Sequence, residues 1–183
     1  MALMHTPAPE LGQAPFDFNL KGVDERQHQL KEFTGGKALV IMFICNHCPY
    51  VQAIEDRLIQ LGHDCQKLGV PVVAICSNDP VNYPDDNFEN LQKRSREKKY
   101  SFAYLHDPDQ KVAQQYGAVC TPDFFVYDQN KKLAYRGRLD DSWKEPGKVT
   151  RRELFEAVQN LAAGKSISSQ QTPSMGCSIK WSK

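Results

Sequence analysis

Two cysteines separated by two residues, Cys45-Asn46-His47-Cys48, stand directly before Pro49. A pair of this spacing suits thiol and disulfide chemistry: the thiolate of one sulfur attacks a disulfide or a peroxide, and the other is near enough to resolve the product. Pro49 fits the first turn of a helix. Cys48 is therefore expected at the N-cap, its sulfur facing the free backbone N–H groups of that turn, where the helix dipole favours a thiolate. Cys48 is the candidate nucleophile and Cys45 its candidate partner. His47 either adds positive charge beside Cys48 or lies exposed next to it. The competing reading takes both cysteines as small buried hydrophobes at a strand end.

Cys120-Thr121-Pro122 forms a second constellation, directly before an apolar strand. A proline there ends pairing and, if its peptide is cis, turns the backbone toward the thiol. Cys120 is either a resolving thiol or a packing residue. Cys177 follows a Ser- and Gln-containing linker and Gly176. Its tail is expected to swing over the site and resolve a Cys48 disulfide or sulfenic acid, or else to pack through Ile179 and Trp181. Cys65, on an apolar helix stripe, and Cys76, inside a strand, read as structural. His5, His28, His63 and His106 read as surface residues, and Ser77-Asn78-Asp79 and Asp140-Asp141 as solvated loops at the rim.

Short elements must position these groups. Phe16, Phe18 and Leu20 alternate, turn through residues 21–24 and resume toward Leu30 and Phe33, which predicts an edge hairpin. Ala38 to Ile44 is continuously apolar, as in a central strand covered on both faces. Val51, Ile54, Leu58, Leu61, Cys65 and Leu68 recur at steps of three and four, which predicts one helix ending near Gly69. Pro71 to Cys76 is a second buried strand, parallel to the first because a helix separates them. An exposed helix follows to Lys99, then one opened by Asp107-Pro108 and closed by Gly117. Phe124–Tyr127 and Leu133–Tyr135 flank a turn and predict a hairpin. Thr150-Arg151-Arg152-Glu153 reads as a capping box for a last helix through Leu161. The result is an α/β fold with a central mixed sheet and helices on both faces.

The chain has 183 residues, enough for one domain with extensions, and its 23 basic and 22 acidic residues leave a net charge of +1. No global field draws it to nucleic acid or an anionic membrane. The basic run from Lys93 to Lys99 reads as a solvated helix face. The start has no apolar leader pattern, no apolar run is long enough to span a bilayer, and six cysteines with one C-x-x-C fit redox work in a reducing compartment, so a cytoplasmic protein is expected. One such pair is not a complete structural zinc site, and neither a cofactor nor a bound metal is expected. A soft-metal carrier using Cys45, His47 and Cys48 remains an alternative of a different class.

Over about residues 14–165 the chain resembles the thioredoxin superfamily, in its redoxin or peroxiredoxin-like (AhpC/TSA-like) branch. The resemblance is carried by Ala14-Pro15-Phe16-Asp17-Phe18, by Phe43 to Val51 around Cys45 and Cys48, and by Thr121 to Asp128; one subgroup also ends in a motif similar to residues 173–181. It implies a thioredoxin-like fold over 14–165, an N-terminal extension over 1–13, and a linker and cysteine-bearing tail over 166–183. Cys48 aligns with the attacking cysteine of thioredoxin and Pro122 with its cis-proline, while Val51 occupies the place of the second cysteine. Ile41 and Cys45 stand where peroxiredoxins carry a proline and a threonine, and the position of their activating arginine is occupied near Pro122, so Arg136 or Arg138 would have to substitute for it. The carboxylate buried beneath thioredoxin's site has no counterpart in residues 38–44. The implied activity is thiol–disulfide exchange, with hydroperoxide reduction as the alternative. Expected partners are a protein or small-molecule disulfide, or a hydroperoxide, a dithiol reductant and, as a further candidate, a second copy of the chain. Site residues are Cys48, Cys45, Cys120 and Cys177, shaped by His47, Pro49, Thr121 and Pro122.

Overall fold

A computed structural model describes residues 3–182. The strands are β1 (Leu3–His5), β2 (Asn19–Gly22), β3 (Gln27–Gln29), β4 (Ala38–Phe43), β5 (Val72–Cys76), β6 (Ala103–His106), β7 (Cys120–Thr121), β8 (Asp123–Asp128), β9 (Leu133–Tyr135) and β10 (Met175–Ser178). The helices are α1 (Pro49–Gln52), α2 (Glu55–Lys67), α3 (Phe88–Lys98), α4 (Lys111–Tyr116) and α5 (Glu153–Ala162). Seven strands form one mixed sheet in the order β3-β2-β6-β5-β4-β8-β9, and β1-β10-β7 form a small second sheet.

Continuous apolarity in β4 has the expected cause. Val40, Met42 and Ile44 join the core under α2 and α5, while Leu39, Ile41 and Phe43 join the core with Phe18, Val112 and Tyr116. Both faces are covered, and each such side chain contributes about 1.5–3 kcal/mol on burial. β4 pairs parallel with β5 and antiparallel with β8. Their shared end carries the Cys45–Cys48 segment on one strand and Thr121–Pro122 at the entrance to the other.

Four local expectations are corrected. The predicted single helix breaks after Gln52 and restarts at Glu55. The apolar stripe runs through the break because Val51, Ile54 and Leu58 are all buried. The strand β6 was not foreseen; at four residues it is too short for a clear period. Pro108 does not open α4: Gln110 precedes the helix in the left-handed region, and Asp107 accepts from the Val112 and Ala113 N–H groups across the turn. The capping box does not form, since Thr150 gives its hydroxyl and N–H to Asp141, and Arg152 occupies the N-cap of α5.

The terminal segments meet. β1 and β10 pair antiparallel, and β10 pairs antiparallel with β7 in the register Cys177↔Thr121 and Ser178↔Cys120. The tail is thus a docked strand rather than a free arm. Among the described residues no helix is long and apolar enough to cross a membrane.

Candidate active site

Cys48 sits at the N-cap of a single helical turn, but its sulfur does not cap it. The Val51 and Gln52 N–H groups go to the Cys48 carbonyl, so the expected hydrogen bonding of the sulfur by that turn is corrected. Other thiols surround the sulfur. As a thiol, Cys48 donates to the Thr121 carbonyl at 3.1 Å. As a thiolate it is held well below its ordinary range, at about 4, first by the Cys45 thiol, against the cost of burial, and then by the Cys177 thiol, Thr121 and the Cys177 backbone N–H. Cys45 moves the opposite way: burial, the neighbouring Cys48 and the charge of Asp86 keep it a thiol, with its sulfur 3.3 Å from the Thr121 hydroxyl. Burial and Cys48 likewise push Cys177 up to about 12. One thiolate thus rests among thiol donors.

The two anchoring segments suit this arrangement. The Thr121–Pro122 peptide is cis, and the Thr121 carbonyl and hydroxyl reach Cys48 and Cys45 respectively. On the other side, the segment ahead of Cys48 is held by a residue that sequence reasoning missed. Asp86, fully buried, accepts from the Asn46 N–H at 2.7 Å, from the Asn78 amide at 2.8 Å and from His47 Nδ1 at 2.5 Å. It stands in the 3-10 turn Pro84–Asp86 before α3. The hydrogen bond to Asp86 raises the His47 pKa, and burial opposes it. Tyr83 stacks on the imidazole at 5.3 Å, and Nε2 is buried with no partner among the described residues. His47 is therefore tied into the site rather than exposed.

Loops expected to be solvated also belong here. Ser77, Asn78, Asp79 and Asp140 are buried. Asn78 accepts from the Lys180 N–H, and the Lys180 carbonyl accepts from the Asp79 N–H and the Gln110 amide, so this loop clamps the tail. Arg94 and Lys98, in the basic run, pair with buried Glu55. His28 and His106 are half-buried rather than surface residues.

Cys120 lies near the site with its sulfur 3.6 Å from the Pro122 carbonyl, and burial raises its pKa; it packs. Burial also raises Cys65 and Cys76, consistent with structural roles. The arginines expected to stand in for a peroxide-activating one are occupied: Arg136 forms a buried pair with Asp123, and Arg138 pairs with Glu153. Cys45, His47 and Asp86 bring one ligand atom each within 4.8 Å of one another. Asp86 already accepts hydrogen bonds from Asn46, His47 and Asn78, so its oxygens are committed within the protein. Next to the site a cleft of about 360 Å³ is lined by Tyr50, Ile54, Pro122, Phe124, Trp143 and Met175, among others.

A C-x-x-C segment between β4 and the first helix, facing a cis-proline at the entrance to β8, defines a thioredoxin-like redoxin. The chain belongs to the AhpC/TSA family, whose model matches residues 11–136. Among solved structures, an uncharacterized conserved protein from Geobacillus kaustophilus is 42% identical over 100% of this chain and 97% of its own, with a TM-score of 0.94. The peroxidoxin BcpB from Mycobacterium tuberculosis shares the fold at 17% identity, covering 85% of this chain and 98% of its own, with a TM-score of 0.63. So does a secreted disulfide oxidoreductase of the same organism, at 17% identity over 80% and 95%, with a TM-score of 0.59. No curated protein matches the chain.

Proposed function

We propose that the protein is a thiol–disulfide oxidoreductase in which Cys48 attacks a substrate disulfide and Cys45 resolves the mixed disulfide. The observation that carries this reading is two adjacent sulfurs meeting one cis-proline segment, Cys48 at 3.1 Å from the Thr121 carbonyl and Cys45 at 3.3 Å from the Thr121 hydroxyl, with their surroundings pushing Cys48 toward thiolate and Cys45 toward thiol. Attack needs the first and resolution needs the second to stay in reserve. Once Cys48 is bonded to substrate sulfur, its charge is gone and no longer opposes ionisation of Cys45. A His47 ring nitrogen and an Asp86 oxygen lie within 4.8 Å of the Cys45 sulfur, beyond hydrogen-bond reach in the reduced protein, and the Cys45 proton passes to this His47–Asp86 pair as Cys45 moves toward the Cys48 disulfide. The engagement of Arg136 and Arg138 with carboxylates favours disulfide over peroxide, whose O–O bond needs polarising donors. A reducing compartment, with the cytosol as the proposed address, would return the pair to dithiol.

The test is to react fully reduced protein separately with a limiting small disulfide and with limiting hydrogen peroxide, and to map oxidised sulfurs by mass spectrometry. Fast exchange ending in a Cys45–Cys48 disulfide is expected, with slow peroxide consumption. Faster reaction with peroxide, leaving Cys48 as a sulfenic acid or a disulfide to Cys177, overturns the reading.

A further inference from the structure

We propose that the β7 edge beside Cys48 is a docking site for an extended peptide whose disulfide cysteine is preceded by glycine, and that β10 fills this site as an internal stand-in for that substrate. The inference rests on the oxidoreductase reading and narrows its substrate to peptide disulfides of one local shape.

The pairing of β10 carries the argument. Its register sets Cys177 opposite Thr121, the residue whose carbonyl accepts from the Cys48 thiol at 3.1 Å, and this places the Cys177 thiol and N–H where they favour the Cys48 thiolate. A substrate sulfur must stand there to be attacked. Held as a thiol by burial and by Cys48, Cys177 has the state of a bound, reduced product rather than of a competing nucleophile.

Backbone pairing accepts any extended strand, so selectivity must come from side chains that meet walls. Position 176 meets one. A Cβ on Gly176 would lie 2.0 Å from the Thr121 carbonyl oxygen, 2.6 Å from the Thr121 carbonyl carbon and 3.0 Å from the Pro122 nitrogen. All three are backbone atoms, which no rotamer change can move aside. A strand in this register must therefore carry glycine just before its cysteine. Displacement of β10 must break the Lys180 clamp and the Ser174 hydroxyl bond to the Pro122 carbonyl, but it spares the main sheet. Its other neighbour is β1, three exposed residues, and neither strand belongs to the seven-stranded sheet.

In the reaction the Cys48 thiolate attacks the sulfur of the peptide cysteine. A Cys48–peptide disulfide forms, the substrate S–S bond breaks, and the departing sulfur leaves as a thiolate that takes a proton from water. Cys45 then passes its proton to His47 and attacks Cys48, forming the Cys45–Cys48 disulfide and releasing the peptide thiolate. The substrate gains two electrons and the cysteine pair loses two, and a dithiol reductant restores the pair.

The test uses the full reduced chain carrying Cys177→Ser and the symmetrical disulfide of the peptide Pro-Ser-Met-Gly-Cys-Ser-Ile-Lys, alongside the same peptide with alanine in place of glycine. Bis(2-hydroxyethyl) disulfide is the control. The glycine peptide is expected to react at least about tenfold faster than the alanine peptide, a discrimination set by the backbone clash. The unsubstituted chain should show the same preference. Equal peptide rates, with the small disulfide still reduced, overturn the docking inference alone; no reaction with the small disulfide overturns the oxidoreductase reading beneath it. Independently, Gly176→Val in the full chain should unseat the tail and raise the rate with the small disulfide severalfold, whereas an unchanged rate in the folded variant contradicts the stand-in role.

Discussion

Cys48 and Cys76 are equally buried, each with 0% exposure, and are driven in opposite directions. Cys76 sits in the middle of the sheet, where desolvation dominates and the thiol is held far above its ordinary range. Cys48 bears a desolvation cost too, but the Cys45 and Cys177 thiols and a backbone N–H offset it. Cys76 has donors too, the Asn78 N–H and the Tyr104 hydroxyl, but desolvation and the charge of Asp86 outweigh them; burial silences a cysteine whose donors lose to it and activates one whose donors win. The difference is set by tertiary structure, because the donors come from the strand end before Cys48 and from a tail far along the chain.

The largest effect that sharpens this comparison is at the nucleophile itself. Cys48→Ser is expected to lower disulfide reduction on the order of 10³-fold or more, measured as kcat/KM with a small disulfide, while leaving folding cooperative. Next, Cys45→Ser should preserve the first exchange yet stop turnover, trapping a Cys48 mixed disulfide visible as an added mass; continued turnover would move the resolving role to Cys177. His47→Gln should slow closure of the Cys45–Cys48 disulfide by about 100-fold, the low end of general-base effects. In the unsubstituted chain closure should quicken as pH rises through the His47 pKa, which Asp86 raises above the ordinary 6.5, because only neutral imidazole accepts a proton. That pH dependence should vanish in the variant. The smallest effect on activity belongs to the other side of the comparison: Cys76→Ala should leave rates unchanged and cost roughly 1–2 kcal/mol of stability in denaturant titration, as a small cavity does.

Much of the scaffold was legible because its signals are local. The apolar run of β4, the stripe of α2, and the proline after Cys48 each follow from a few neighbouring residues, and they placed the nucleophile and Thr121–Pro122 at the same end of the sheet. What stayed hidden was non-local. Asp86 looked like one more acid in the charged stretch leading into the exposed helix, and only the fold turns it under Asn46 and His47. The donors to the sulfur were misassigned for the same reason: a one-turn helix spends its N–H groups on the Cys48 carbonyl, and the stabilising donors arrive from elsewhere. Gly176 gave a visible clue as a small residue next to a cysteine, but the wall it avoids is formed by β7.

The central claim is that reduced Cys48 is a thiolate at neutral pH because other thiols hold it so, and the most direct measurement is thiolate absorbance near 240 nm followed from pH 8 down to pH 3 in the reduced chain and in Cys48→Ser. A group held down in the folded state adds stability above its unfolded pKa and loses that contribution as pH falls through the folded one. The expected result is therefore one thiolate, absent from the variant, that persists below pH 6 and disappears near pH 4, while its contribution to stability declines as pH falls from the unfolded pKa of about 8.5 and is exhausted once the folded thiol is protonated. A Cys48 that first ionises near pH 8.5, the ordinary range of a free cysteine, would contradict the account.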